Sequence, residues 1–225
     1  MEESLLASAC SQFSNRTLFY PSAGSDFKEP IKTFMPWIDE FWFVDVNYDE
    51  KCPRLADVGF RLISSSYFEL TGRTISLDYP FRIPVSSQQY LHVPSGREFT
   101  ANFCRGRGYD AFRSAFRVPQ RPLSVFFYRG DSQGEGGSGF MWLKRRTARY
   151  IVDQLDSHSV LVSDGSNAMP ELSKFHCNQD IGASAVEESE EFGFRGKQFS
   201  CIGYLGERYG PTLVWKLSPI VNGST

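Results

Sequence analysis

The chain has 225 residues, of which 41% are hydrophobic and 22% are charged, and its formal net charge is -2. This composition is typical of a globular protein with a substantial core, and it excludes an intrinsically disordered chain. A charge so close to zero gives no general argument for binding nucleic acid or an anionic membrane.

The cysteines and the N-terminal residues bear on the cellular compartment. The five cysteines are scattered and form no CxxC pair, which argues against both a metal site and a disulfide framework. No apolar run approaches the roughly 20 residues that cross a bilayer. Glu2 and Glu3 stand where a secretion signal carries positive charge. We therefore expect a cytoplasmic protein with no bound metal and no membrane partner.

The first predicted elements form a βαβ unit. Residues 17–20 are a short strand-like run, and apolar residues recur at helical spacing over 27–35. Ser25 or Asp26 is the expected N-cap of that helix. Residues 40–46 form a nearly unbroken apolar run, which is typical of a buried parallel strand. A strand, a tight loop, a helix and a strand in about thirty residues predict a right-handed crossover.

The rest of the chain gives further predicted elements. In the middle we expect a helix within 55–70, strands at 74–78 and 98–103, and a short helix at 109–116. In the last hundred residues the patterns predict a strand at 123–128, an amphipathic helix at 140–155, a strand at 159–163, and an antiparallel hairpin of 198–204 with 211–217.

A first candidate site lies at the loop of the βαβ unit. Its residues are Tyr20, Pro21, Ser22, Ala23, Gly24 and Asp26, together with Asp45 at the end of the second strand. Glycine lets a backbone approach a ligand closely, and an acid about 20 residues further on can accept bonds from ribose hydroxyls. The alternative is an ordinary strand-to-helix turn in which Asp45 is hydrogen-bonded locally.

A second candidate site is the glycine-rich loop that follows the strand at 123–128. Asp131, Ser132 and Glu135 would supply polar groups there, and the surrounding glycines would permit close approach to a ligand. Ligands of open α/β sheets bind at the carboxyl ends of the strands, where this loop begins. A mobile surface loop also explains the glycines, but a long loop at the carboxyl end of a predicted strand favours function.

A series of arginines interleaved with aromatic residues allows a third interpretation. Its basic members are Arg97, Arg105, Arg107, Arg113, Arg117 and Arg121. Such a pattern can follow a phosphate backbone and stack bases, which would make nucleic acid a partner. A solvated face above a buried aromatic stripe produces the same pattern, and the net charge favours that alternative.

The order of these elements resembles that of class I S-adenosylmethionine-dependent methyltransferases. The resemblance implies an α/β fold: a Rossmann-like, mostly parallel sheet with a C-terminal antiparallel hairpin, in a three-layer α/β/α arrangement. It also implies a single domain over 1–225, with irregular insertions at about 80–120 and 165–196.

The resemblance carries residue roles with it. The loop at 20–26 would hold S-adenosylmethionine, with Asp45 as the ribose-binding acid and Ser132 in the loop after the fourth strand. Asp131 or Glu135 would accept the proton of the methylated nucleophile. Two other functions remain open, namely a non-catalytic Rossmann-like module for a small ligand or protein partner, and a nucleic-acid-binding protein.

Overall fold

The computed structural model describes residues 3–48, 53–55, 57–73, 80–116, 121–129, 142–163, 191–205 and 212–220. The chain separates into two compact units, one of residues 16–121 and the other of residues 1–15 with 122–225. We call them the 16–121 unit and the C-terminal unit. The expectation of a single domain stays a prediction.

The described residues contain four helices and ten strands. The helices are α1 (Glu3–Cys10), α2 (Lys28–Phe34), α3 (Gly108–Ala115) and α4 (Arg145–Gln154). The strands are β1 (Thr17–Pro21), β2 (Glu40–Asp45), β3 (Phe60–Arg73), β4 (Pro80–His92), β5 (Arg97–Arg105), β6 (Leu123–Tyr128), β7 (Leu155–Ser163), β8 (Glu191–Phe194), β9 (Lys197–Tyr204) and β10 (Leu213–Pro219).

Three parallel strands form the centre of the 16–121 unit. β1 pairs with β2, and β2 pairs with β5, in registers that align Pro21 with Val44 and Val44 with Cys104. Every residue of β1 is buried, as a strand covered on both faces requires. The predicted βαβ unit is therefore confirmed, and the carboxyl ends of all three strands lie at one edge of the sheet.

The predicted helix within 55–70 is wrong, because these residues belong mainly to β3. β3 pairs with β4 in antiparallel register from Phe60 to Arg73, and β4 pairs in turn with β5. The serines at 64–66 and the aromatic pair Tyr67-Phe68 have low helix propensity, and pairing with β4 satisfies their backbone groups. The predicted strand at 74–78 lies outside the described residues.

The C-terminal unit combines one parallel pair of strands with antiparallel ones. β6 and β7 are parallel, and β10 lies antiparallel between β7 and β9. β8 then pairs antiparallel with β9. The predicted C-terminal hairpin is confirmed as β9 and β10, although a bulge between Val214 and Trp215 shifts its register. The helix predicted at 140–155 is observed as the shorter α4.

The predicted three-layer α/β/α Rossmann-like fold is wrong. Strands make up 51% of the described residues and helices only 21%, so the protein is mostly β. The physical reason is that residues 60–70, which were expected to form a helix, belong to an antiparallel strand instead. This strand, β3, pairs with β4, and β4 pairs with β5. None of the described helices is long and apolar enough to cross a membrane.

Within the C-terminal unit, the buried carboxylate of Asp156 in β7 binds residues 14 and 15, which precede β1 in the chain. The Asp156 side chain accepts hydrogen bonds from the Ser14 hydroxyl, from the Asn15 amide at 3.3 Å and from the Ser157 amide at 2.7 Å. The Lys197 ammonium donates to the Asp156 carbonyl at 2.5 Å. Burial raises the pKa of Asp156, but the hydrogen bonds outweigh it and hold that pKa below its ordinary value.

Replacing this carboxylate should lower the stability of the protein. Asp156→Asn removes charge-assisted hydrogen bonds worth about 1–3 kcal/mol, so we expect Tm at pH 7 to fall by roughly 2–12 °C. Because the folded pKa is depressed, the contribution is present above the unfolded pKa of about 3.9 and is lost as pH falls through the folded value. The difference in Tm between parent and variant should therefore shrink on acidification, as measured by circular dichroism.

Asp153→Asn is the matched control, since Asp153 is exposed and pairs with Arg195 at 2.7 Å on the surface. Such a pair contributes about 0–1 kcal/mol. Equal losses of Tm in the two variants would contradict the role given to Asp156.

Candidate functional site

The candidate site lies where β1, β2 and β5 end. The chain leaves these strands after Pro21, Asp45 and Arg105, which neighbouring registers bring to the same edge of the sheet. Ligands of parallel strands bind at this edge because loops and backbone groups converge there. The structure thus brings together the loop at 20–26 and Asp45, as the sequence predicts.

The Asp45 carboxylate holds the loop after β1. Its Oδ2 accepts the Gly24 N–H at 2.9 Å, and its Oδ1 accepts the Asn47 N–H at 2.8 Å. The Ala23 N–H donates to the Val44 carbonyl at 3.1 Å, which continues the β1–β2 contact beyond the strand. Asp45 is part-buried, and backbone donors on two sides fix its orientation. Asp45 is thus hydrogen-bonded within its own site, with one backbone donor on each carboxylate oxygen.

The backbone of the loop adopts a left-handed conformation at two positions. Ser22 has φ 54° and Gly24 has φ 50°, a region that non-glycine residues seldom occupy. The turn at Gly24 aims its N–H at Asp45, while the Tyr48 hydroxyl donates to the Gly24 carbonyl at 2.9 Å. Both polar groups of the Gly24 backbone are thus used within the site.

Tyr20 and Asp26 form a buried pair beneath the loop. The Tyr20 hydroxyl donates to Asp26 Oδ2 at 3.0 Å, and both residues are at most 5% exposed. Ser25 or Asp26 was expected to cap α2, which is wrong: the helix begins at Lys28, and its N-cap residue, Phe27, makes no side-chain capping bond. The reason is that the Asp26 side chain binds Tyr20, so these two residues support the loop from below.

Asn47, Tyr48 and Asp110 were missed by reasoning from the sequence. Asp45 followed by Asn47 is the pattern of an Asx turn, which could have been recognised. Nothing in the local sequence indicates that Tyr48 reaches back to Gly24, because that contact depends on the pairing of β1 with β2. Asp110 lies in the first turn of α3, just beyond β5, where burial raises its pKa although Arg107 and Arg113 lower it.

The other candidate residues fall into two groups. Asp131, Ser132 and Glu135 lie outside the described residues, so their roles stay predictions.

In the arginine series, several members make contacts within the 16–121 unit. Arg97 pairs with Asp39 at 2.6 Å.

Arg121 pairs with Glu40, and its guanidinium lies 5.2 Å from the ring centroid of Trp42. Arg113 lies over the ring of Tyr109 at 5.9 Å, while Arg105 and Arg107 are exposed. Arg117 lies outside the described residues. The positions of Arg97, Arg113 and Arg121 match the alternative of polar side chains above an aromatic stripe. Nucleic acid as a partner stays a prediction.

No protein-family model, curated protein or solved structure matches this chain. Within the described ranges, no group of three or more His, Cys, Asp or Glu side chains could hold a metal ion. The function must therefore be argued from the geometry of the site.

Gly24→Ala tests whether the loop needs glycine for its conformation or for space. A Cβ at Gly24 would lie 3.8 Å from Asp45 Oδ2, which is an ordinary contact, so only the left-handed backbone should cost energy. We expect a loss of about 1–2 kcal/mol, measured as a fall in Tm of a few degrees. Gly96 has φ 68°, and a Cβ added there would meet no neighbouring side chain or backbone within 4 Å. Gly96→Ala should therefore lose the same amount of stability. A much larger loss at Gly24 would show that the loop has no room for a side chain.

Proposed function

We propose that the edge formed by the ends of β1 and β2 binds a small molecule containing a nucleoside, through Asp45 and the loop at 20–26. S-adenosylmethionine is the proposed ligand and methyl transfer the proposed activity. The observation that carries the proposal is the Asp45 carboxylate, held at the strand end by two backbone donors. A non-catalytic binding module is the alternative, and it shares the same first step.

The carboxylate keeps acceptor capacity after these bonds are made. An ionised carboxylate has about four acceptor positions, and Gly24 and Asn47 use one on each oxygen. Two vicinal hydroxyls of a ribose are donors of the matching kind. Because the orientation of Asp45 is fixed before a ligand arrives, little conformational entropy would be lost on binding.

The surroundings of Asp45 suit a ligand that is both polar and flat. Val46, directly after Asp45, is 60% exposed and offers an apolar contact at the same edge. Arg105 and Arg107 are exposed at the end of β5, where they would attract a carboxylate or phosphate of the ligand.

The cysteines support the proposed cytoplasmic location. Among the described residues, Cys10, Cys104 and Cys201 are buried thiols that form no disulfide bond. Burial raises the pKa of Cys10 to about 12, which keeps its thiol protonated at neutral pH. Reduced thiols of this kind are typical of a reducing compartment.

Ligand binding is best tested by thermal shift and calorimetry with S-adenosylmethionine, S-adenosylhomocysteine and adenosine. A ligand at 100 times its Kd stabilises the folded protein by about 2.7 kcal/mol, so Tm of the parent should rise by several degrees. Asp45→Asn keeps the size of the side chain and removes its charge, and it should weaken binding about tenfold or more. Each shift is measured against the same variant without ligand, because Asp45 also supports the loop.

Two controls sharpen this experiment. Glu98→Gln makes the same change of charge near the amino end of β5, where Glu98 is exposed and bonded to Gln89, and it should bind like the parent. The parent should bind 2′-deoxyadenosine more weakly than adenosine. The Asp45→Asn variant should bind the two nucleosides with equal affinity. The proposal fails if the parent shows no shift at millimolar ligand, or if Asp45→Asn binds as the parent does.

A further inference from the structure

β3 has an edge that no described strand covers. It pairs with β4 on one side, and no other strand of the described chain pairs with it. All residues from 61 to 69 are exposed. An uncovered edge presents backbone N–H and C=O groups to other chains, and proteins usually block it with proline or with several charges. Between Phe60 and Leu70 there is no proline, and Arg61 and Glu69 are the only charged residues.

The same segment concentrates apolar surface. Eight large apolar side chains are exposed in the described residues, and four of them are Leu62, Ile63, Tyr67 and Phe68. Their exposed fractions run from 38% at Leu62 to 73% at Tyr67. A cluster of this kind on one strand indicates a surface that another molecule covers.

The sequence of β3 is chemically symmetric about Ser65. Moving outward in both directions, the residues pair as Ser64 with Ser66, Ile63 with Tyr67, Leu62 with Phe68, Arg61 with Glu69, and Phe60 with Leu70. Serine thus matches serine, apolar residues match apolar residues, and a positive charge matches a negative one. This inverted pattern has a use only if the strand meets an identical strand running in the opposite direction.

We propose that the protein forms a homodimer in which β3 pairs antiparallel with β3 of a second copy, about a two-fold axis at Ser65. In such an isologous contact every interaction occurs twice. Arg61 of each copy faces Glu69 of the other, and the apolar side chains form cross-strand pairs on either side of the serines. A partner of a different sequence would not require the self-complementary order.

The two-fold pairing counts Ile63 as a paired residue, although Ile63 is the extra residue of a bulge against β4 between Leu62 and Ser64. One further contact bears on the charge pair. Within its own copy Glu69 lies 3.5 Å from Arg82, so in the dimer its carboxylate would lie between two guanidinium groups.

A charge exchange tests the pairing. The parent should have twice its chain mass of 25.5 kDa by light scattering, with a concentration-dependent dissociation. Arg61→Glu and Glu69→Arg should each raise the dissociation constant at least about tenfold, because each places like charges opposite one another twice. The double variant Arg61→Glu/Glu69→Arg should dimerise more tightly than either single variant, because it restores opposite charges across the axis. It should dimerise less tightly than the parent, because the new guanidinium at position 69 lies near Arg82 of its own copy. A monomeric parent at all concentrations, or a dimer unaffected by the single changes, overturns the proposal.

A cross-link locates the axis. Ser65→Cys would place two thiols opposite each other across the axis, about 5 Å apart at Cβ, so mild oxidation should give a covalent dimer. Thr71→Cys is exposed on the same strand, but its two copies would lie roughly 40 Å apart at 3.3 Å per residue. It should cross-link no more than the parent. Equal cross-linking of both variants, or none above the parent in Ser65→Cys, refutes an axis at Ser65.

Discussion

The contact of Asp45 with Gly24 depends on the parallel register of β1 and β2, and the candidate site depends on that contact. The register places Pro21 beside Val44, so the loop leaving β1 meets the residue that ends β2. A carboxylate at this point accepts an N–H from each of two chain segments, and it thereby fixes the turn at Gly24. A backbone amide at a sheet edge needs an acceptor, and Asp45 provides one without a further strand.

Aromatic packing keeps these strands in register. Phe19 contacts Phe112 and Phe116 of the α3 segment, with ring centroids 4.9 Å and 5.5 Å away. On the opposite pleat, Phe43 stacks on Phe103 at 5.5 Å. Large rings bury much area per residue, and edge-to-face contacts add directional preference. A shift of one residue would exchange the two sets of rings, which is why the register is strongly specified.

The antiparallel pair β3 and β4 differs from this buried centre in how the backbone hydrogen-bonding groups of its strands are paired. β5 has β2 on one side and β4 on the other, whereas β3 is paired on one side by the described strands. The apolar residues of the central strands lie in a core, while Leu62, Ile63, Tyr67 and Phe68 of β3 are partly exposed to solvent. The hydrophobic effect acts equally on both, so exposed apolar area on β3 favours association, just as buried area on β2 favours folding.

Four features could be predicted from the amino-acid pattern: the β1–α2–β2 unit, the strand at 123–128, the C-terminal hairpin and the proximity of Asp45 to the loop. These features follow from apolar runs, breaker residues and short connections, which are local signals. Local signals did not predict that residues 60–73 form a strand or that the Tyr48 hydroxyl binds Gly24. The physical reason is the same in both cases. The backbone hydrogen-bonding groups of a strand are paired with a separate strand, as those of β3 are with β4. Tyr48 likewise reaches Gly24 only because β1 and β2 are paired.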